Sequence, residues 1–183
     1  MLDANILYPA PIRDIMLQLA FQGMFRARWT DDIHREWIEA LLKKQPYRQR
    51  EKLERTRHLM DVSTPDALIT GYESLIACLE LPDPDDRHVL AAAIVGRCDV
   101  IVTQNLQHFP QSVLQIYDIE AQHPDDFLVA HFNHETKNFC EAIREVRARL
   151  KNPTYTVKQY IDNLKKQGLV TTAKELELHS ELL

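Results

Sequence analysis

The sequence predicts an α/β protein: a parallel sheet flanked by helices over residues 1–120, then a small all-helical subdomain over residues 121–183. Three observations carry this expectation. Helical segments alternate with short β-branched runs, the pattern of strands joined by helical crossovers. Only four glycines are present, so the tight turns of antiparallel hairpins are scarce. After residue 120 the β-branched runs stop and only helical periodicity remains.

In chain order, Met1 and Leu2 form a very short apolar start before Asp3, and the first strand either ends there or continues through ANILY. Pro11 opens a helix carrying Ile15, Met16 and Leu19, which Gly23 closes. FRARWT reads as a short strand. Thr30, Asp31 and Asp32 are cap-type residues opening a helix with Ile33, Trp37 and Leu41 on one face. A polar, basic stretch runs to His58, LMDVSTP is a candidate strand, and ALITGYESLIACLEL is weakly patterned and helical. RHVLAAAIVGRC is apolar on nearly every side, as a helix buried against a sheet is. DVIVTQN is the clearest strand, and VLQIYDI is the next candidate.

The tail begins where Pro124, Asp125 and Asp126 announce a helix with Phe139, Ile143, Val146 and Leu150 on one face. NPTYT breaks it. Thr156 and Gln159 then have capping-box spacing for a helix that Gly168 ends, and a last helix runs through AKELELHSELL.

Composition narrows the function. Apolar residues make up 45% of the chain, in the globular range. The net charge of −5 argues against coating nucleic acid by bulk charge, while leaving room for a local basic surface. Cys78, Cys98 and Cys140 lie far apart without C-x-x-C spacing, which suggests neither a zinc site nor a disulfide framework. No segment approaches the ~18 apolar residues of a membrane span, and the start lacks signal-peptide character, so the expectation is a cytoplasmic protein. Glycine-rich phosphate loops and dinucleotide fingerprints are absent.

The chemistry-bearing signal is a set of acids at strand ends and helix starts. Asp3 sits where a buried strand should end; Glu36 lies within the helix after the second strand; Asp83, Asp85 and Asp86 precede the buried helix; Asn105 terminates the strongest strand. In a parallel sheet such points converge on one edge, beyond the carboxyl ends of the strands, where ligands bind. Carboxylates brought close repel one another unless a cation offsets them, and oxygen donors suit Mg²⁺ or Mn²⁺. Each member also has a plainer reading: Asp31, Asp32 and Asp86 as helix caps, Asp85 as a turn residue, Glu36 as an exposed helix charge. A second feature is KKQPYRQREKLERTRH, with Lys43, Lys44, Arg48, Arg50, Lys52, Arg55 and Arg57 against Glu51 and Glu54. It reads either as a phosphate-contacting arm or as a solvated helix laced with pairs such as Glu51–Arg55.

The stretches LDANILYP, TDDIHREW, DPDDRHVLAAA and VTQNLQHFP, around Asp3, Glu36, Asp86 and Asn105, resemble in order and spacing the PIN-domain ribonucleases, particularly the VapC-type toxins of toxin–antitoxin pairs. The resemblance covers roughly the first 120 residues, and the tail, with PDDFL near its start, is similar to the C-terminal extension of one branch. It implies a three-layer α/β/α sandwich around a central parallel sheet of about five strands. It further implies an endoribonuclease whose acids hold Mg²⁺ or Mn²⁺, an RNA substrate, a cognate antitoxin and a homodimer. By position, Asp3, Glu36 and Asp86 become the metal-binding and catalytic acids, Asp83 an auxiliary acid, and Asn105, with Thr103, the polar pair that orients the site. Arg13, Lys43, Lys44, Arg48 and Arg50 become candidate RNA contacts. Family members often carry an acid three residues after the asparagine; here His108 stands there, and either ligates, orients, or is a bland surface residue. That departure sustains an alternative, a catalytically impaired PIN-fold module that binds RNA or protein.

Overall fold

The computed structural model describes all of Met1–Leu183. The helices are α1 (Ala4–Leu7), α2 (Ala10–Phe21), α3 (Asp31–Lys44), α4 (Arg50–Ser63), α5 (Glu73–Ile76), α6 (Arg87–Val95), α7 (Gln111–Leu114), α8 (Pro124–His134), α9 (Thr136–Arg149), α10 (Val157–Lys166) and α11 (Val170–Leu178). The strands are β1 (Val100–Val102) and β2 (Glu120–Gln122), and 3-10 turns cover Pro84–Asp86, Leu106–His108, Gln115–Tyr117 and Ser180–Leu182. Two compact units form, one of Met1–Tyr8 with Arg26–His123, the other of Pro9–Phe25 with Pro124–Leu183.

In the first unit β1 pairs in parallel with β2, Ile101 standing opposite Ala121. Isolated parallel bridges join Leu2 to Val102 and Trp29 to Leu68. The architecture is therefore α/β with parallel pairing, as the alternating pattern predicts, although two strands are present where about five were expected. Three local expectations are corrected. ANIL is helical (α1), so the first extended segment stops at Asp3 rather than running on through ANILY. LMDVSTP is no strand: its first residues complete α4, whose buried side is Leu53 and Met60, two turns apart, while Leu59 and Val62 are exposed. In VLQIYDI, Val113 and Leu114 end α7, Ile116 is exposed within a 3-10 turn, and Asp118 is left-handed at φ 56°, so extended structure resumes only at Glu120. ALITGYESLIACLEL likewise yields only the four-residue α5.

The capped helix at Thr30 forms as its residues dictate. The Thr30 hydroxyl accepts the Ile33 amide at 3.1 Å, and Ile33, Trp37 and Leu41 are buried. His34, on the same face, is fully buried and committed at both ring nitrogens. Trp37 Nε1 donates to His34 Nδ1 at 3.0 Å, and His34 Nε2 lies 3.1 Å from Asp61 Oδ1, an oxygen that also accepts Trp29 Nε1 at 2.8 Å. Because Nδ1 must accept, the ring is neutral with its proton on Nε2. Burial holds the His34 pKa below its ordinary value, against the pull of Asp61. A depressed folded-state pKa contributes stability that is present above the unfolded value near 6.5 and lost as pH falls through the folded one. Thermal melts followed by circular dichroism are thus expected to weaken on acidification below neutrality, by up to about 1.4 kcal/mol per pH unit from this group. The difference between wild type and His34→Gln should carry that slope; parallel pH profiles would contradict it.

The second unit is helical. Pro11 stands in the first turn of α2, where its missing amide costs nothing. The expected long tail helix is two, α8 and α9, with the break at Glu135; Phe139, Ile143 and Val146 are buried along α9 and Leu150 lies beyond its end. Thr156 and Gln159 form the reciprocal capping box, with Thr156 Oγ1 accepting the Gln159 amide at 3.2 Å. Gly168 closes α10 at φ +87°, a conformation that a side chain would strain. Asp125 is buried and reaches across the tail to accept the amides of Thr171 and Thr172 at 2.8 Å each and the Thr172 hydroxyl at 2.7 Å. No helix is long and apolar enough to cross a membrane.

Candidate active site

Parallel pairing sends the ends of several segments to the same edge. Leu2 pairs with Val102, so the next residues, Asp3 and Thr103, emerge side by side. Asp3 is only 4% exposed, and its amide donates to Val102 O at 3.1 Å, which locks the backbone that presents it. Thr103 Oγ1 donates to Asp3 Oδ2 at 2.7 Å, and Asn5 Nδ2 donates to the same oxygen at 2.5 Å and to Thr103 Oγ1 at 3.0 Å. Asn5 Oδ1 in turn accepts the Gln104 amide at 3.0 Å. The Asp3 carboxylate is therefore fixed by a closed polar network.

Burial pushes the Asp3 pKa up to about 6, and the negative charges of Asp86 and Glu36 add to the rise against hydrogen bonds from Thr103 and the Ala4 amide. Those two acids are drawn from other elements. Asp86 stands at the N-terminus of α6, but its side chain makes no capping bond. It turns instead to His108, with Oδ2 2.7 Å from Nδ1. Burial raises its pKa, the contact with His108 opposes that, and Asp83 and Glu36 reinforce it. Asp83 divides its oxygens: Oδ1 accepts the Asp85 amide at 3.0 Å, while Oδ2 lies 3.6 Å from His108 Nδ1. Asp83, Asp86 and His108 offer ligand atoms all within 4.8 Å of one another, a spacing that suits one cation. Asp85 is exposed.

Glu36, half-buried on α3, has Oε1 2.7 Å from His88 Nε2, an ion-pair approach off the hydrogen-bonding direction. His88 is buried and its Nδ1 has no hydrogen-bond partner. Burial alone would lower the His88 pKa, but Glu36, then Asp32 and Asp3, outweigh it and raise the value. Asp32 is more than a helix-start charge: it accepts the Tyr72 hydroxyl at 2.7 Å and pairs with Arg35 at 2.6 Å.

Of the residues singled out in the sequence, Asp3, Glu36 and Asp86 are thus electrostatically coupled, with Asp83 beside Asp86. Asn105 does not join them: its side chain is exposed without a hydrogen bond, and only its backbone amide reaches Thr103 Oγ1, at 3.0 Å. Asn5 instead bonds both Asp3 and Thr103, a contact the sequence did not suggest although D-x-N stood in plain view at the strand end. His88 was also missed; its signal was its place in DDRH, directly behind the acids. Arg13 lies on α2 with its Nε 3.8 Å from Asp14, its side chain largely buried. Arg50 pairs with Glu39 at 2.6 Å and faces Glu54, whereas Lys43, Lys44 and Arg48 are exposed.

A helix-flanked parallel pairing with carboxylates gathered at the carboxyl edge defines an acid-cluster α/β protein, one whose donor set could hold a divalent cation. Comparison with known families makes the class specific. The PIN domain model matches residues 1–107 and the VapC50 C-terminal domain model matches residues 124–178. The chain belongs to the PIN-domain family. It is 41% identical over 121 residues to the Mycobacterium tuberculosis (strain ATCC 25618 / H37Rv) protein named "Putative ribonuclease VapC50", an alignment covering 63% of this chain and 70% of that protein. No solved structure matches the chain at a significant level.

Proposed function

We propose that the protein is a divalent-metal-dependent endoribonuclease, the toxin of a toxin–antitoxin pair. The observation that carries this is geometric: a buried Asp3 carboxylate held by Thr103 and Asn5 at the strand end, and Asp83, Asp86 and His108 with ligand atoms within 4.8 Å of one another. The named relative and the matched PIN domain support the activity. On this reading the nuclease domain spans 1–120, the helical subdomain 121–183, and the protein works in the cytoplasm on RNA, restrained by an antitoxin and assembled as a homodimer. The two bridges and two strands are then remnants of a five-segment sheet ordered 67–69, 28–29, 1–3, β1, β2, a reading supported by the 2.9 Å bond from the Leu2 amide to Arg28 O.

The donor chemistry fits a metal. Like charges placed together in a partly dehydrated site raise each other's pKa, and a cation offsets them. Asp3, Glu36 and Asp86 would hold Mg²⁺ or Mn²⁺, with Asp83 as auxiliary; when bound, the ion supplies activation of water and offsets charge on the scissile phosphate. The chain's own residues supply position. Thr103 and Asn5 fix the Asp3 carboxylate through its Oδ2. His88 holds Glu36, which orients the attacking water, and His108 holds Asp86. No protein nucleophile is needed.

The His108–Asp86 contact also favours a second reading, in which the histidine occupies the cation's place and the protein binds RNA or a protein without cutting. Incubating purified protein with total RNA and defined transcripts, in Mg²⁺ or Mn²⁺ against EDTA, separates the two. Metal-dependent cleavage supports the nuclease; cleavage that persists in EDTA overturns it, and absence of cleavage shifts the assignment to the binding module. The histidine itself makes a prediction. Nitrogen donors favour Mn²⁺ over Mg²⁺ more than carboxylates do. His108→Asp is therefore expected to raise activity in Mg²⁺ relative to Mn²⁺; an unchanged ratio would remove His108 from the cation's surroundings.

A further inference from the structure

We propose that the turn between α3 and α4 is a base-stacking station for single-stranded RNA, with Tyr47 as the platform and Lys43, Lys44 and Arg48 as phosphate contacts. The proposal rests on the nuclease reading above and adds where the strand lies. Tyr47 is 81% exposed, more than any other large hydrophobic side chain. Its ring is nevertheless held: its hydroxyl donates to Gln45 Oε1 at 3.1 Å, and Arg48 Nε donates to the same oxygen at 2.6 Å. One amide oxygen thus sets an aromatic face and a guanidinium side by side, which lowers the entropy lost when both engage a nucleotide.

The cations of this stretch divide into two groups. Arg50 is committed to Glu39 and Glu54, and Arg57 to Asp31 and Glu54. Lys43 and Arg48 enter no ion pair, and Lys44 sits 5.8 Å from the centre of the Tyr8 ring. The charges left over therefore include three around Tyr47, with Lys52 and Arg55 exposed beside them on α4. That last contact also anchors the end of α3 against the residue that follows α1, the helix begun by Asp3. Glu36 lies on α3 eight residues before Lys44, about 12 Å at 1.5 Å per residue. One helix, α3, so connects Glu36 to the aromatic turn.

The chemistry selects an unpaired strand. An aromatic ring can stack on a base only where the base is free of its neighbours, whereas a duplex offers phosphates and hydroxyls alone. The cationic surroundings match phosphates and offer little to an apolar peptide.

The test is fluorescence anisotropy with a labelled, unstructured RNA oligonucleotide and, separately, a duplex, in EDTA so that cleavage plays no part. Tyr47→Ala is expected to weaken single-strand binding roughly 5- to 150-fold while leaving duplex binding unchanged, and Tyr47→Phe, which keeps the ring but loses the bond to Gln45, to lose far less than Tyr47→Ala. Arg48→Ala should reduce the salt dependence by about one phosphate contact. The indole introduced by Tyr47→Trp should lose emission when single-stranded RNA is added. Wild-type affinity in Tyr47→Ala, or an equal loss toward duplex, overturns the proposal. So does loss of a co-expressed antitoxin with RNA affinity unchanged, which would assign the turn to a protein partner. Cleavage measured in parallel keeps the two claims apart: a Tyr47-insensitive nuclease sinks only the station, and Tyr47-dependent binding without cleavage sinks only the nuclease.

Discussion

Asp3→Asn is expected to abolish RNA cleavage and, at the same time, to make the metal-free protein more stable at neutral pH. Activity should fall at least about 1,000-fold, equivalent to roughly 4 kcal/mol of barrier, because the carboxylate that anchors the cation becomes neutral. Stability should move the other way. The Asp3 pKa is raised from 3.8 to about 6, chiefly by burial. A raised folded-state value means that this group's contribution is fully present below pH 3.8 and is lost as pH rises through about 6. Above that point the ionised carboxylate costs the fold up to about 3 kcal/mol, from about 1.4 kcal/mol per pKa unit. An asparagine keeps an oxygen able to accept from Thr103 and Asn5 while removing the charge. Melts in EDTA at pH 8 should therefore show the variant ahead of wild type, and addition of Mn²⁺ should stabilise wild type alone. A variant less stable than wild type at pH 8 and unaltered in cleavage would contradict both halves.

Asp125→Ala is expected to be the most damaging substitution in the tail. The Asp125 carboxylate satisfies two amides and a hydroxyl at the start of α11, bonds spanning more than forty residues of chain. Burial would raise its pKa, but the hydrogen bonds from Thr172 and Thr171 outweigh that and lower it. Its stabilisation is thus present above the ordinary carboxylate range and lost as pH falls through a lower value. Removing a charged acceptor from three donors, two of them buried, costs about 3–5 kcal/mol, a large share of an ordinary domain's stability. The melting temperature should drop by roughly 6–20 °C. A change of under about 2 °C would show that water replaces the carboxylate at no cost.

What was legible in the sequence was what local chemistry dictates. The Thr156–Gln159 capping box, the Thr30 cap, the Gly168 terminus and the buried faces of α3 and α9 each depend on residues within one or two turns, and each formed. Where apolar residues stand on an exposed surface, as Leu59 and the β-branched Val62 and Ile116 do, composition suggested strands that the backbone does not make. The acids were legible because a parallel sheet delivers strand ends to one edge. Their partners were not: Asn5 meets Thr103 across 98 positions and His108 meets Asp86 across 22, distances over which no periodicity speaks. Asp86 looked like a helix cap and is not one, since its carboxylate turns away from α6 toward His108. Asp125 was expected to open its own helix, and its side chain serves another.

Calorimetric titration of the purified protein with MnCl₂ near pH 7.5 tests the central claim, that Asp3, Glu36 and Asp86 act together as one divalent-cation site. Saturable binding by wild type, abolished in Asp3→Asn and Asp86→Asn and weakened in Glu36→Gln, is the predicted result. Equal binding by wild type and both aspartate variants, or no binding by any of them, would contradict it.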